Sequence, residues 1–525
     1  MTETYDYVVV GAGSAGCALA ARLSENPDVT VALVEAGPMP AGRLFEIPAL
    51  FSQQLKTFYD WDFETEPEPH LGGRRAYLPR GRVVGGTSSM NTMLYVRGHR
   101  YDYDTWERLG NKGWAYEDVL PFFKKSEDNQ RGADEFHGVG GPLTVSDPVS
   151  VHPLLTAWVE AAQNAGHAPN SDFNGAEQEG VGYYQVTQRG GLRCSSAVAF
   201  LGPAAGRPNL TVLPSTLALR VHFDGDRATG LDVDHAGTVR RIGIDREVVL
   251  SLGAYNSPHL LLQSGVGPAD ELRAAGVAPR HDLPDVGRNM QDHAGCFLSF
   301  FSSTPPVLGP DTSAEERRLR EEGTGPMAWT EVGGFLRSGD DLPAPDIQVH
   351  AALGIVRDQG LAAPLEPGMS FGPYVARPAS RGSVTLRHSH PYAKPRIRHN
   401  YLADPDDRAR LREGVRMCLE IARQAPLTDL VDGNLKTAAE AGLAPRSDRD
   451  ADIDEYIASQ AFSFYHPSGT CMMGKVVDSR LRVQGLENVR VADTSIMPTL
   501  VTGNTNAPAI MIGERAASFI LEAVS

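Results

Sequence analysis

The stretch that most constrains this chain is YDYVVVGAGSAGCALAARLSENPDVTVALVEAG, residues 5–37. Tyr7 to Val10 is a short apolar run rich in β-branched residues, and predicts a buried parallel strand. Gly11-x-Gly13-x-x-Gly16 follows without a break. A helix is predicted from about Ser14 to Ser24, with Ala15, Ala18, Leu19 and Leu23 at helical spacing. A second strand, Val29 to Val34, ends at Glu35. In such a unit Gly11 permits the tight turn, Gly13 lets a pyrophosphate approach the backbone, and Gly16 lets helix and strand touch. The phosphates then sit at the positive end of the helix. Glu35 stands where a carboxylate accepts hydrogen bonds from ribose hydroxyls and repels a 2′-phosphate. A lone glycine motif is weak, but set between two strands and closed by an acid it points to a dinucleotide. It does not separate NAD from FAD.

The chain has 525 residues, enough for two folding units. Its net charge of −16 argues against nucleic acid and anionic membrane partners, which reward clustered Lys and Arg. The five cysteines, Cys17, Cys194, Cys296, Cys418 and Cys471, are far apart. That spacing suits neither a disulfide framework nor a zinc site, and fits reduced thiols in a cytoplasmic protein. The first residues enter a strand directly, with no signal-peptide pattern. No apolar run approaches the ~20 residues of a membrane span.

Three later segments bear on the cofactor. PRGRVVGGTSSMNTMLYVRG, 79–98, is a second glycine-rich loop full of small hydrogen-bonding residues. REVVLSLGAYNSPHLLLQSGVG, 246–267, reads as a strand, Gly253, and a helix from about Ser257. LENVRVADTSIMP, 486–498, reads as a strand, Val489 to Ala492, ending in Asp493, where a carboxylate can bind a ribityl or ribose hydroxyl. Several such loops suit a long cofactor held at more than one place.

These segments, together with YHPSGTCMMG (465–474) and VADTSIMPTLVTGNTNAPAIMIGERAA (491–517), resemble the glucose–methanol–choline oxidoreductases, especially the bacterial choline-dehydrogenase-like members. The resemblance runs from Tyr5 to Glu522. It implies an α/β protein with a Rossmann-like FAD-binding domain built from residues 1–150, 191–294 and 462–525. A second, α+β substrate-binding domain on an antiparallel sheet would come from 151–190 and 295–461. For the cofactor it implies Gly11, Gly13, Ser14, Ala15, Gly16, Glu35 and Ala36 from the first unit. Arg82, Val84, Gly85, Gly86, Ser89, Asn91, Thr92, Met93 and Leu94 would come from the second loop. Val221, Gly253, Ala254, Asp493, Thr494, Asn506, Ala507 and Pro508 complete the set. Members with covalent flavin carry a histidine where this chain has Met90, so dissociable FAD is expected.

The resemblance also implies a catalytic histidine, His466, facing the flavin ring, and a hydrogen-bonding partner from the C-terminal segment. The NAP pattern selects Asn506 over its near neighbour Asn504. His466 would take the hydroxyl proton of an alcohol as hydride leaves its carbon, and Asn506 would polarise the oxygen. The C-terminal helix, Ala509 to Val524 with Pro508 near its start, would turn its positive end to the flavin. The expected activity is oxidation of a primary alcohol to an aldehyde, with oxygen or a quinone-like carrier as electron acceptor, in a monomer or homodimer. A lyase or photodecarboxylase of the same fold, a non-catalytic flavoprotein and a nicotinamide dehydrogenase are the alternatives. No carboxylate or aromatic box for a quaternary nitrogen is identifiable. His350 falls on a possible strand and faces either the pocket or ordinary core, with core favoured; His388 and His390 read as exposed strand residues, and Ser313 to Gly325 as a solvated helix, with a mobile lid or a subunit contact as the minor reading.

Overall fold

A computed structural model describes residues 3–302, 304, 312–361, 367–432 and 435–523. The fold is built on two seven-stranded sheets. In the first, the strands Leu210–Leu213, Val31–Val34, Glu3–Val10 and Thr238–Leu250 lie side by side and all run parallel. Val489–Val491 joins the far end of Thr238–Leu250, also in parallel. The beginning of that same long strand pairs antiparallel with Arg227–His235, which pairs in turn with Thr216–Asp224. One strand of 13 residues thus belongs to a parallel half and to an antiparallel meander. Val31–Val34 and residues 7–10 are buried throughout, as apolar runs covered on both faces must be.

The helix after the first glycine loop, Ser14–Leu23, packs against the C-terminal helix, Asn506–Glu522. Two features bring them together. A Cβ at Gly513 would lie 2.4 Å from the carbonyl oxygen of Ala15, so the helices touch backbone to backbone. Beside that contact, Arg22 donates from Nε and Nη2 to the fully buried carboxylate of Glu514 at 2.8–3.0 Å. The far end of the expected helix, Val524, lies outside the described residues.

The second sheet is antiparallel throughout: Phe462–Ser463, Ala294–Gly295, Gly368–Val375, Ile347–Leu353, Val332–Leu336 and Gly180–Tyr183, with Leu298–Phe301 also on Gly368–Val375. Along Ile347–Leu353 the side chains alternate. Ile347, Val349 and Ala351 enter the core with Trp158, Leu411 and Val415, while His350 and Ala352 face a cavity. That core is closed by the helices Pro153–Asn164 and Pro405–Ala422.

Several local expectations need correction. The helix of the 246–267 segment is Gly253–Gln263, four residues earlier than expected, with Pro258 inside it. Proline removes an N–H that would have bonded the carbonyl of Ala254, and the Thr470 hydroxyl takes that carbonyl instead at 2.7 Å. His388 and His390 are exposed, but in the loop beyond the short strand Ser383–Thr385 rather than on it. The charged helix is Ser313–Glu322, ended by Gly323 in the left-handed region (φ +67°). Leu319 is buried beside Ile47 and Leu50, and Arg43–Glu316 and Arg320–Glu46 ion pairs flank it. All five cysteines are free and buried. Among the described residues no helix is long and apolar enough to cross a membrane.

Two outcomes follow. Helix propensity alone would favour Gly513→Ala by about 1 kcal/mol. The close approach to Ala15 opposes it by about 1–3 kcal/mol, so the variant is expected to melt lower, and Gly513→Leu lower still. Second, burial pushes His259, His293 and His399 down to about 4 from 6.5. On lowering the pH the unfolded chain takes these protons first. Their contribution to stability is therefore full above about pH 6.5, falls as pH drops towards 4, and levels off below. Thermal midpoints across that window check it: His399→Phe should flatten the slope.

Candidate active site

One cavity of about 570 Å³ reaches from the first glycine loop to the second sheet. At one end it is lined by Gly11, Gly13, Ser14, Ala15, Glu35 and Ala36, and at the other by His350, Phe464, His466 and Asn504. The two glycine-rich loops make its floor together. Gly11 has φ +101°, and a Cβ there would meet the Ser251 carbonyl at 2.4 Å. A Cβ at Gly86 would lie 2.7 Å from the Cα of Gly13, so the second loop rests directly on the first. Glu35 is buried at the end of its strand, with its carboxylate oxygens accepting from the N–H groups of Ala12 (3.0 Å) and Gly37 (2.8 Å). Burial pushes its pKa up to about 7 against those bonds.

Of the residues expected at the cofactor, Gly86, Asn91, Thr92, Met93, Leu94, Gly253, Ala254, Asp493, Thr494 and Asn506 also line the cavity. Others stand behind it. Gly16 packs its helix against Gly11, the N–H of Gly85 donates to the Ala12 carbonyl, and Ser89 Oγ donates to Val84 O. Arg82 lies over Trp61, and Ala507 and Pro508 are buried in the helix start. Val221 is a correction: its N–H is taken by Ser264 Oγ at 2.9 Å and its side chain is in the core, while Thr216 to Leu219 of the same strand face the cavity. Asp493 also has work of its own. It accepts from Gly253 N, Ser257 Oγ and Ser495 N at 2.5–2.9 Å, which ties the third glycine turn to the end of Val489–Val491.

His466 sits in the Ser463 to Gly474 loop, follows Tyr465 in a left-handed conformation (φ +69°), and is 8% exposed at the cavity wall. The segment Gln291-Asp292-His293 holds it. Gln291 and Ser468 exchange backbone hydrogen bonds (2.9 and 3.1 Å). Asp292 accepts from the His466 N–H at 2.8 Å, from Ser463 Oγ at 2.5 Å and from Tyr401 at 2.6 Å. The Gln291 side chain reaches the segment that leads to Asn504, donating to Pro498 O and accepting from Leu500 N, both at 3.1 Å. Burial, then the neighbouring His293 and His350, hold His466 well below the usual histidine range, so its imidazole is neutral.

The partner of His466 is Asn504, not Asn506. Asn504 Nδ2 lies 3.2 Å from His466 Nε2. Asn506 faces the other way and accepts from Ser14 Oγ at 2.8 Å, linking the C-terminal helix to the first glycine loop. The physical reason is the helix itself. Asn506 is its first residue, whereas Asn504 is still in the turn after Gly503 (φ +137°), which directs it across the cavity. Gln348 orients the Asn504 amide by donating to its Oδ1 at 3.1 Å. Gln348 in turn takes the Tyr374 hydroxyl on its own oxygen.

His350 is in the cavity wall rather than ordinary core. Its Nδ1 lies 2.8 Å from Oε2 of Glu331, and Trp329 donates to the other oxygen of that carboxylate at 3.1 Å. Phe51 packs edge-on to Trp329 at 5.1 Å. Glu331, Trp329, Gln348, Asp292 and His293 all escaped the reading of the sequence. The only trace of Gln348 and His350 is that polar residues alternate with apolar ones in IQVHAAL, a pattern equally usual at a solvated sheet face.

The cavity fits a flavin dinucleotide. It offers a helix N-terminus and a glycine floor that any Cβ would fill, with a carboxylate beyond them. The N-terminus of a second, 17-residue helix also reaches the cavity, at Asn506 and Ala509. Comparison with known proteins agrees. Residues 5–295 and 378–513 match the N- and C-terminal models of the GMC oxidoreductases. The chain is 40% identical over 530 residues to an oxygen-dependent choline dehydrogenase of Sinorhizobium fredii, covering 98% of this chain and 95% of that one. It is 41% identical over 538 residues to an alcohol dehydrogenase [acceptor] of Pseudomonas putida, covering 99% and 96%. Among solved structures, pyridoxine 4-oxidase from Mesorbium loti superposes with a TM-score of 0.88 at 33% identity over 98% of both chains. The fold, the cavity and these matches over nearly the whole length make one conclusion plain: the chain belongs to the GMC oxidoreductase family, whose cofactor is FAD.

Proposed function

We propose that this protein oxidises a primary alcohol to its aldehyde, with His466 as base, Asn504 as hydrogen-bond donor and a dissociable FAD. The observation that carries this is the Asn504 Nδ2 to His466 Nε2 approach of 3.2 Å, inside a cavity whose other end is the dinucleotide loop. Bound FAD would supply the acceptor for the hydride that leaves the carbinol carbon. The rest is done by the chain. A neutral imidazole accepts the hydroxyl proton at Nε2 as the carbonyl forms, so no free alkoxide has to exist. The Asn504 amide donates to the same oxygen and never competes for its proton. The N-terminus of Asn506–Glu522 would offer positive potential to a bound flavin, favouring the negative charge that reduction adds. Phe297, Phe464, Tyr465 and Trp329 keep water from the site.

Choline, named in the Sinorhizobium relative, is a primary alcohol with a quaternary nitrogen. Glu331, with Trp329 and Phe51 beside it, gives the wall a buried carboxylate and aromatic faces that suit such a cation. A choline-like amino alcohol is therefore the substrate favoured by the cavity. Met90 lines the cavity at the position where a histidine would serve for covalent attachment, and its thioether offers none. Oxygen or a quinone-like carrier would take the electrons onward. Five buried free thiols suit a reducing, cytoplasmic setting.

The test is anaerobic mixing of the yellow protein with primary, aryl and amino alcohols. At least one should bleach the flavin absorbance; if none does, the oxidation reading fails and the lyase or binding alternatives stand. His466→Ala should slow bleaching by about 10²–10⁴-fold. Asn504→Ala should slow it on the order of 10²-fold, and Asn506→Ala should instead weaken flavin retention. Denaturation should release all the flavin into the supernatant after removal of the protein. Yellow colour remaining in the pellet would refute dissociable binding.

A further inference from the structure

His293 touches His466 but does not line the cavity. It is fully buried, stacked on Tyr374 with ring centres 4.5 Å apart and planes 18° apart. Its Nε2 lies 3.0 Å from the carbonyl oxygen of Ala376, and its Nδ1 lies 2.9 Å from Nδ1 of His466. A carbonyl oxygen only accepts, so the proton of a neutral His293 must be on Nε2. That leaves Nδ1 of His293 as a lone pair. The 2.9 Å contact is then a hydrogen bond only if His466 carries its own proton on Nδ1. Nε2 of His466, which meets the amide of Asn504, is left as the unprotonated nitrogen.

We propose that His293 is a positioning residue that fixes His466 in the Nδ1–H tautomer, so that the Nε2 lone pair is the one presented to the substrate hydroxyl. This rests on the reading of His466 as the base. Burial keeps His293 neutral by pushing it down to about 4, so it accepts the bond without taking the proton. When His466 Nε2 gains the substrate's proton, the Nδ1–H stays where it was and its bond to His293 becomes charge-assisted. No proton leaves through His293, whose other nitrogen ends on the Ala376 carbonyl. The same polarity continues on the other side, where Gln348 donates to Asn504 and Asn504 donates towards His466. The remaining titratable groups around His466 are Asp292, His350, Arg80, Tyr374 and Tyr465. Asp292 holds the backbone N–H of His466, and Arg80 holds the carbonyl of Tyr465 at 2.6 Å. Neither interaction involves an imidazole nitrogen of His466.

The experiment is ¹⁵N-histidine NMR of the holoprotein, with His466→Gln to assign the signal, alongside rapid-mixing flavin reduction. Wild type should show His466 protonated at Nδ1 and bare at Nε2. His293→Phe keeps the ring and its stacking but loses both nitrogens. It should lose that signature and slow flavin reduction about 10- to 100-fold, with the substrate Kd changed by less than about two-fold. His293→Asn, whose Oδ1 can accept the same N–H, should restore most of the rate and the signature. A wild-type His466 protonated at Nε2 overturns the proposal, as does a phenylalanine variant as fast as wild type or an asparagine variant no faster than phenylalanine. If His293→Phe fails to hold flavin, the wild-type spectrum alone decides. A protein with the Nδ1–H signature that no alcohol reduces would refute the oxidation reading and leave the tautomer assignment standing.

Discussion

The carboxylate of Asp292 is the point from which the reactive half of the cavity is held. It is 4% exposed and accepts four hydrogen bonds, from two backbone N–H groups and two hydroxyls. A buried charge is costly unless every lone pair is used, and here the donors come from three separate parts of the chain. Its neighbours in sequence extend the reach. Gln291 ties the histidine loop to the segment that leads to Asn504, and His293 meets the imidazole itself. The two residues assigned to chemistry, 38 positions apart in sequence, are brought together through this short strip between the two sheets.

The cofactor end is organised differently. There the chain uses little side-chain chemistry and relies on backbone proximity: one glycine loop lying on another, and a helix start beside them. Rigidity comes from small residues that leave no slack. The end of the cavity at His466 is built from large side chains whose polar atoms are nearly all engaged, as in the Glu331–His350 and Gln348–Asn504 contacts. A surface shaped by backbone suits a ligand that never changes, and one shaped by side chains can be altered residue by residue.

This contrast explains what could be read from the amino-acid order. The first βαβ unit was legible because its glycines and Glu35 lie within one short stretch and each type answers to one steric demand. Strand and helix ends moved by a few residues, as at Gly253, where Asp493 from far along the chain sets the start of the helix. The end at His466 was largely illegible. Glu331, His293 and Gln348 are polar residues with no local spacing rule, and their meaning comes from contacts with distant strands. The choice between Asn504 and Asn506 turned on where the final helix begins, and a boundary of two residues is finer than periodicity resolves.

The docking of the last helix on the first has a consequence for synthesis. Ser14–Leu23 completes its packing only against residues that include Gly513 and Glu514. A nascent chain thus carries Ser14–Leu23 without this helical partner, and Arg22 with Glu25 but without Glu514, until Asn506–Glu522 has been made. The first glycine loop therefore gains its last support only after the strands of both sheets have been made, and a chain that stops before Asn506 would lack it.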